Sequence, residues 1–277
     1  MNNKTRRDFF KIAGAGIAGS ALLSLNAPLL AKSKNIPFQI GMASYTFRKF
    51  NLEDTLAMTK RLGIKEIAFK SFHLPLDSSE NKIMSVIARV KTAGLDLYGG
   101  GVIYMKNEND VNQAFDYAKM AGMRIIIGVP EHNLLPMVEK KAKEYNIKVA
   151  IHNHGPNDKR YPTPGSVYKL IKNLDKHIGL CMDIGHTMRA GVDPADAAKK
   201  YRDRLYDIHV KDVTKATAAG KTIEVGRGVI DIPKFLRTLI KINYKGNASL
   251  EFEKDPNDPL PGAAESVGYL RGVLAVI

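Results

Sequence analysis

The chain contains a single cysteine, Cys181. No intramolecular disulfide can form, and its position deep in the sequence excludes a lipid-anchor role. Acidic residues are in deficit: 28 Asp and Glu face 42 Lys and Arg, giving a formal net charge of +14. Such a balance attracts anions, whether nucleic acid, an acidic or phosphorylated substrate, or an anionic envelope. No basic run is interleaved with aromatics, however, and the lysines scatter over expected helices, as at Lys140, Lys141, Lys143, Lys199 and Lys200. The charge therefore reads as solvated helix face, and no nucleic-acid partner is expected. Long hydrophobic runs are also missing. One apolar stretch, residues 12–25, is rich in Gly and Ala and is too short and too weakly hydrophobic to span a bilayer stably. No second run and no internal repeat or low-complexity segment follows.

The N-terminus carries an address. Thr5-Arg6-Arg7-Asp8-Phe9-Phe10-Lys11 matches the twin-arginine export pattern, and the apolar stretch follows it. Ala27 and Ala31 offer cleavage points, and the cut is expected near Ala31. Residues 1–31 are then a signal peptide and residues 32–277 a single catalytic domain, sent to the periplasm or cell exterior with no stable membrane anchor after cleavage. Twin-arginine export carries proteins that fold first, often around a cofactor.

Beyond the signal, short apolar runs alternate with amphipathic stretches. Strands are expected at 38–43, 67–69, 95–98, 125–129, 148–151, 178–182, 205–210 and 248–252. Helices are expected at 52–62, 79–93, 108–121, 135–145, 165–174, 194–201, 233–240 and 263–274. Gly63, Gly94 and Gly122 stand where three of these helices should stop. Strict alternation implies a parallel sheet with right-handed crossovers, and eight units can close into an α/β barrel of the (β/α)8, or TIM, type. The length of 277 residues suits one such barrel. An open doubly wound sheet fits less well, because no Gly-rich phosphate turn follows the first strand. The segment 214–230 reads as a long mobile loop.

In a barrel, chemistry sits where the strands end. Six of the seven histidines fall there: His73 after strand two, His132 after four, His152 and His154 at five, His186 after six and His209 at seven. Only His177 lies elsewhere. Glu131, Asp183 and Glu251 add carboxylates at strands four, six and eight, and an unpaired carboxylate in the apolar run around Glu251 would be costly to bury. Alternation along a strand puts His152 with His154, His209 with Lys211, and Glu251 with Glu253 on common faces. Converging imidazoles and carboxylates suit one divalent Mn, Zn, Co or Fe ion, whereas Mg prefers oxygen alone. Glu253 is expected at the rim or in support, and Cys181 in the core.

The motifs Ile151-His152-Asn153-His154-Gly155, Met182-Asp183-Ile184-Gly185-His186, Asp207-Ile208-His209-Val210-Lys211-Asp212, Gly226-Arg227-Gly228-x-Ile230-Asp231 and Leu250-Glu251-Phe252-Glu253 occur in this order. Together they resemble the sugar phosphate isomerase/epimerase family, the xylose isomerase-like TIM barrels, over residues 38–277. The resemblance implies one divalent metal held by Asp183, His209, Glu251 and, where many members have Glu, His152. It implies an isomerase or epimerase that abstracts a proton next to a metal-bound carbonyl. Glu251 would be the base, His152 or His154 the opposing acid/base, and His186 and Lys211 contacts to substrate hydroxyls. Arg227 is expected to close over the substrate, and Glu131 and His73 are counted with the substrate-binding residues. An alternative within the family is a 3-keto-glycoside lyase using the same site, which an exported enzyme is well placed to meet. An endonuclease-like hydrolase and a non-catalytic sugar-binding barrel are the remaining readings. The expected partner is a small sugar or keto-glycoside; the sequence leaves the oligomeric state open.

Overall fold

In the computed structural model, which describes residues 36–277, strand and helix alternate from Gln39 onwards. The expected export signal, residues 1–31, lies outside the described residues. Strand β1 (Gln39–Ala43) leads to helix α1 (Leu52–Arg61), β2 (Glu66–Phe69) to α2 (Glu80–Thr92), and β3 (Asp96–Met105) to α3 (Glu108–Met120). Then β4 (Ile125–Pro130) leads to α4 (Leu135–Tyr145), and β5 (Lys148–His152) to α5 (Pro164–Ile171). β6 (Ile178–Asp183) precedes two short helices, α6 (Ile184–Arg189) and α7 (Pro194–Lys200). After β7 (Leu205–Val210), a small hairpin of β8 (Asp212–Val213) and β9 (Thr222–Ile223) precedes α8 (Ile232–Lys241). β10 (Asn247–Leu250) and α9 (Leu260–Val276) end the chain. The barrel closes in the order β1-β10-β7-β6-β5-β4-β3-β2, with every neighbouring pair parallel. The fold is thus the eight-stranded α/β barrel read from the sequence. Among the described residues no helix is long and apolar enough to cross a membrane.

Local chemistry explains the boundaries. Asn51, Ser79 and Asn107 each accept a hydrogen bond from the backbone three residues on, capping α1, α2 and α3. Thr163 and Ser166 form a reciprocal capping box on α5. Gly63, Gly94 and Gly122 have φ of +66°, +77° and +64°, the left-handed turn that ends a helix.

Three expectations change. Strand three runs ten residues rather than stopping at Tyr98, because Gly99–Gly101 continue it. A side chain on Gly99 would come within 2.9 Å of the Ile125 carbonyl, and one on Gly101 would collide with the Ile127 carbonyl, so these two glycines let β3 approach β4 instead of breaking the strand. The region after strand six holds two helices, since the Asp183 side chain caps α6 directly. Residues 214–230 are not a structureless loop. The hairpin pairs Asp212 with Ile223, and the buried Asp212 carboxylate accepts the backbone N–H groups of Val213 (2.8 Å), Gly226 (3.0 Å), Gly228 (3.0 Å) and Ile230 (3.2 Å). The sequence shows a glycine-rich stretch, but not that one carboxylate ties it down.

Candidate functional site

Successive strand residues face opposite sides of a sheet, so inward positions can be counted in steps of two. Ala68, Ala150 and Cys181 lie with Tyr98, Ile125 and Ile127 in a small cluster inside the barrel. Two residues further, each strand delivers a polar group to the C-terminal mouth: Lys70 after β2, His152 on β5 and Asp183 on β6. The same step leads from Asp207 to His209 on β7, and from Ser249 to Glu251 just past β10.

Four of these groups converge. Ligand-capable atoms of His152, Asp183, His209 and Glu251 all lie within 4.8 Å of one another, and all four residues are buried. His152 Nε2 stands 3.1 Å from His209 Nδ1 and 3.6 Å from Asp183 Oδ2, and His209 Nδ1 is 3.3 Å from Glu251 Oε2. The Lys211 ammonium lies 2.9 Å from Asp183 Oδ2 and 2.5 Å from Glu251 Oε2, and it also contacts Glu253.

The electrostatics follow from burial and mutual charge. Burial drives the His152 pKa well below the ordinary histidine value, which leaves a neutral imidazole with a lone pair to give. Burial also opposes charge on His209, but Glu251 and then Asp207 and Asp183 raise its pKa overall. Burial works against ionised Asp183 and Glu251 as well. His186 and Lys211 nevertheless hold the Asp183 carboxyl well below the usual range, and Lys211 and His209 do the same for Glu251. Lys211 is desolvated, yet Asp183, Glu251 and Glu253 lift its pKa well above that of an ordinary lysine. The centre therefore holds two anionic carboxylates whose charge the single Lys211 ammonium between them only partly offsets.

A divalent metal fits this donor set. Two imidazole nitrogens and two carboxylates from neighbouring strands make a mixed N/O cage, the preference of Mn, Fe, Co or Zn. Asp183 Oδ2 is buried and accepts no well-directed hydrogen bond despite its closeness to Lys211, so its lone pairs remain available. The ring atom of His209 remote from the cluster, Nε2, points towards Asp207, 3.8 Å from Oδ2. Asp207 is itself pushed up to about 7 by burial, and it is held by Tyr98 (3.2 Å) and Cys181 (3.4 Å). At 3.8 Å the two make no hydrogen bond, but an acidic side chain behind the far nitrogen of a metal-binding histidine favours a proton there and leaves the near nitrogen free for the metal. Asp207→Leu is accordingly expected to weaken metal binding by roughly 10–100-fold while the ligands stay in place. Competitive titration against a fluorescent chelator reads this directly; equal affinities would remove Asp207 from the centre.

Above the cluster opens a cavity of about 180 Å³, lined by His152, His154, His186, Glu251 and Glu253 on one side and Tyr45, Lys70, Val102 and Tyr104 on the other. His154 shares a hydrogen bond with the Tyr104 hydroxyl at 3.1 Å, and its ring stacks on Tyr104. The remaining residues expected at the substrate lie elsewhere. Lys211 is buried beneath the cavity and does not line it, its ammonium committed to Asp183, Glu251 and Glu253. His73 is buried behind the mouth, bonded to Ser44 and Thr55 at 2.9 Å each, and braces the turns after β1 and β2. Glu131 is paired with Arg160 at 2.9 Å outside the cavity lining. Arg227 is exposed and paired with Glu265 of α9, so it does not cover the cavity. Lys70, Tyr45 and Tyr104 were not anticipated. Lys70 could have been found by counting two residues from Ala68, since the intervening Phe69 belongs to the outer core. Tyr104 depends on the unforeseen extension of β3.

A larger basin, of about 670 Å³, opens at the opposite, N-terminal mouth. Its rim includes Lys119, Arg124, Lys148 and Lys245, where part of the basic charge is displayed. It lies away from the histidines and carboxylates of the cluster.

Comparison with known proteins agrees with this fold. The family model described as xylose isomerase-like TIM barrel matches residues 47–273. An inosose dehydratase of Clostridium tetani is 29% identical over 155 residues, 50% of this chain and 51% of that protein. The chain spans about half the length of the curated relatives it matches. A solved but functionally uncharacterised protein of Parabacteroides distasonis superposes with a TM-score of 0.67 at 26% identity, over 85% of this chain and 99% of that one. The 3-keto-D-glucoside 4-epimerase YcjR of Escherichia coli, with a TM-score of 0.69 and 18% identity over 85% and 99% of the two chains, shares the fold.

Proposed function

Because the chain belongs to the xylose isomerase-like TIM barrel family, we propose that it is a divalent-metal-dependent enzyme that removes and returns a proton beside the carbonyl of a sugar-like ketone, as an isomerase or epimerase. The observation that carries this reading is the convergence of His152, Asp183, His209 and Glu251 at the floor of a cavity that Glu251 also lines. When bound, a metal held by these four residues supplies Lewis-acid polarisation of the substrate carbonyl.

The chain's own groups do the rest. Glu251 engages His209 and Lys211 through Oε2, which leaves Oε1 to take the proton from carbon. Lys211 holds both carboxylates in place, and His186, whose backbone N–H donates to Asp183 Oδ1, lines the cavity and offers its ring to a substrate hydroxyl. A cavity of about 180 Å³ is below the roughly 300–1,000 Å³ of drug-sized pockets and suits a single sugar or cyclitol ring.

A second reading, elimination from a keto sugar or 3-keto glycoside, is favoured by His152 standing where many members have a second carboxylate. Elimination needs one base and one acid rather than two equivalent bases, and the inosose dehydratase relatives point the same way. The twin-arginine pattern makes the cell envelope the proposed place of either reaction.

The test is to incubate metal-loaded protein with ketoses, keto-cyclitols and 3-keto glycosides in D2O and follow products by mass spectrometry and NMR. An isomer carrying solvent deuterium next to the carbonyl supports the first reading. Loss of water or of an aglycone supports the second. Neither deuterium uptake nor product, with metal content verified, sinks both.

A further inference from the structure

Resting on the proton-transfer reading above, we propose that Lys70 is the catalytic acid that faces Glu251 across the cavity and delivers the second proton of the reaction. The four candidate metal ligands come from β5, β6, β7 and the end of β10, which are adjacent in the barrel. A substrate held against that half exposes its other face to β2 and β3. There, among the described residues lining the cavity, Lys70 is the only cation.

The histidines of the cavity are less suited to this part. His152 turns Nε2 to His209 and Asp183, and its Nδ1 is buried. His154 gives Nε2 to the Tyr104 hydroxyl, and its Nδ1 is buried too. His186 projects from α6, on the Asp183 side of the cavity. The Lys70 ammonium has three N–H bonds; it donates one to the Val102 carbonyl and lies 5.5 Å from the centre of the Tyr104 ring. Its backbone is fixed by a 2.8 Å hydrogen bond from its N–H to Ser44 Oγ, and Ser44 in turn is held by His73. This gives His73 its place in the structure: it positions the turn that carries Lys70.

Burial also pushes the Lys70 pKa below the ordinary lysine value, with Glu251 pulling partly the other way. An ammonium so destabilised gives up its proton more readily than a solvated one.

The step balances. Glu251 Oε1 forms an O–H bond as the C–H bond breaks, and that electron pair moves to the carbonyl oxygen. When the carbonyl re-forms, the pair returns to carbon and takes a proton from Lys70 Nζ on the opposite face, leaving a neutral amine. Release of the Glu251 proton and uptake of one by Lys70 through solvent restore the starting state. In the elimination variant the Lys70 proton goes to the departing oxygen instead.

Lys70→Met and Lys70→Arg test this in D2O, alongside wild type, with metal content and thermal midpoint measured on each sample. Arginine keeps the positive charge but is too weak an acid to donate. Both variants are expected to retain one metal per chain and exchange of the substrate hydrogen within about threefold, because Glu251 is intact. Net product should fall on the order of 100-fold or more. Product formation by Lys70→Arg close to wild type, or a parallel fall of exchange and product, overturns the assignment while leaving the proton-abstraction reading standing. Absence of exchange in the wild type itself overturns that reading and this assignment with it.

Discussion

Asp183→Ala and Glu251→Ala are each expected to empty the centre of metal and abolish turnover. Wild-type protein, purified and equilibrated with Mn, Zn, Co or Fe, should carry about one ion per chain by inductively coupled plasma mass spectrometry, and either variant less than about a tenth. Losing an outer partner of a ligand costs 10–100-fold in affinity, so losing one of four ligands, and one of two anionic ones, should cost on the order of 100-fold or more. Turnover is expected to fall by roughly 1,000-fold or more, since the Lewis acid goes and, for Glu251, the base goes with it.

Lys211 complicates both alanine variants. It lies between Asp183 and Glu251 and is itself buried, so deleting either leaves an ammonium with one carboxylate fewer. Breaking a buried pair from one side costs about 3–5 kcal/mol, and a variant could lose metal merely by unfolding. Glu251→Gln is the control. The amide can still accept from Lys211 and preserve the fold, but it cannot take a proton. It should melt above Glu251→Ala, because the contact with Lys211 is kept, and yet neither exchange substrate hydrogen nor make product. Equal metal in wild type and both alanine variants, or none in any after reconstitution, would remove the metal centre from the account.

Asp212→Ala should cost about 2–4 kcal/mol of stability, lowering the thermal midpoint by roughly 10 °C in calorimetry. The Asp212 carboxylate accepts four backbone N–H bonds, from the adjacent Val213 and from Gly226, Gly228 and Ile230, 14 to 18 positions further along the chain, and so draws that segment back onto β8. Hydrogen bonds to a charged acceptor are each worth about 1.5–3 kcal/mol, but the total is discounted because Gly226 and Arg227 are exposed and water can replace part of what is lost. Asp212→Asn keeps one accepting oxygen and turns an NH2 group towards the other donors, so it should fall between wild type and alanine. Below the melting range the metal content of Asp212→Ala should stay near one per chain, because Asp212 is not among the four converging residues. A midpoint unchanged within about 1 °C would mean the carboxylate does not organise this segment.

Much of this protein could be read before any coordinates. Strand-helix alternation is a matter of local periodicity: apolar runs of four to six residues bury a strand on both faces, and amphipathic stretches bury one face of a helix. Closure into an eight-stranded barrel follows from counting those units and from the handedness of parallel crossovers. The placement of Asp183, His209 and Glu251 at strand ends was legible for the same reason, since a polar residue closing an apolar run has few other positions in a barrel.

What the sequence did not show depends on distance across the barrel. Lys70 looks like an ordinary lysine after an apolar run. Only closure of the sheet brings β2 round to face β6 and makes it a lining group of the cavity. Tyr104 joins it because Gly99–Gly101 prolong β3, with Gly99 and Gly101 set against the Ile125 and Ile127 carbonyls of β4, a fit invisible locally. Arg227 and His73 show the reverse. Each carries a residue type suited to substrate binding, but tertiary contacts commit the first to Glu265 and the second to Ser44 and Thr55. Hydrophobic period and strand ends are one-dimensional properties, so the chain determines them alone. Which side chains meet across the mouth, and which are already occupied, is decided only when the eight strands close and set the distances between them.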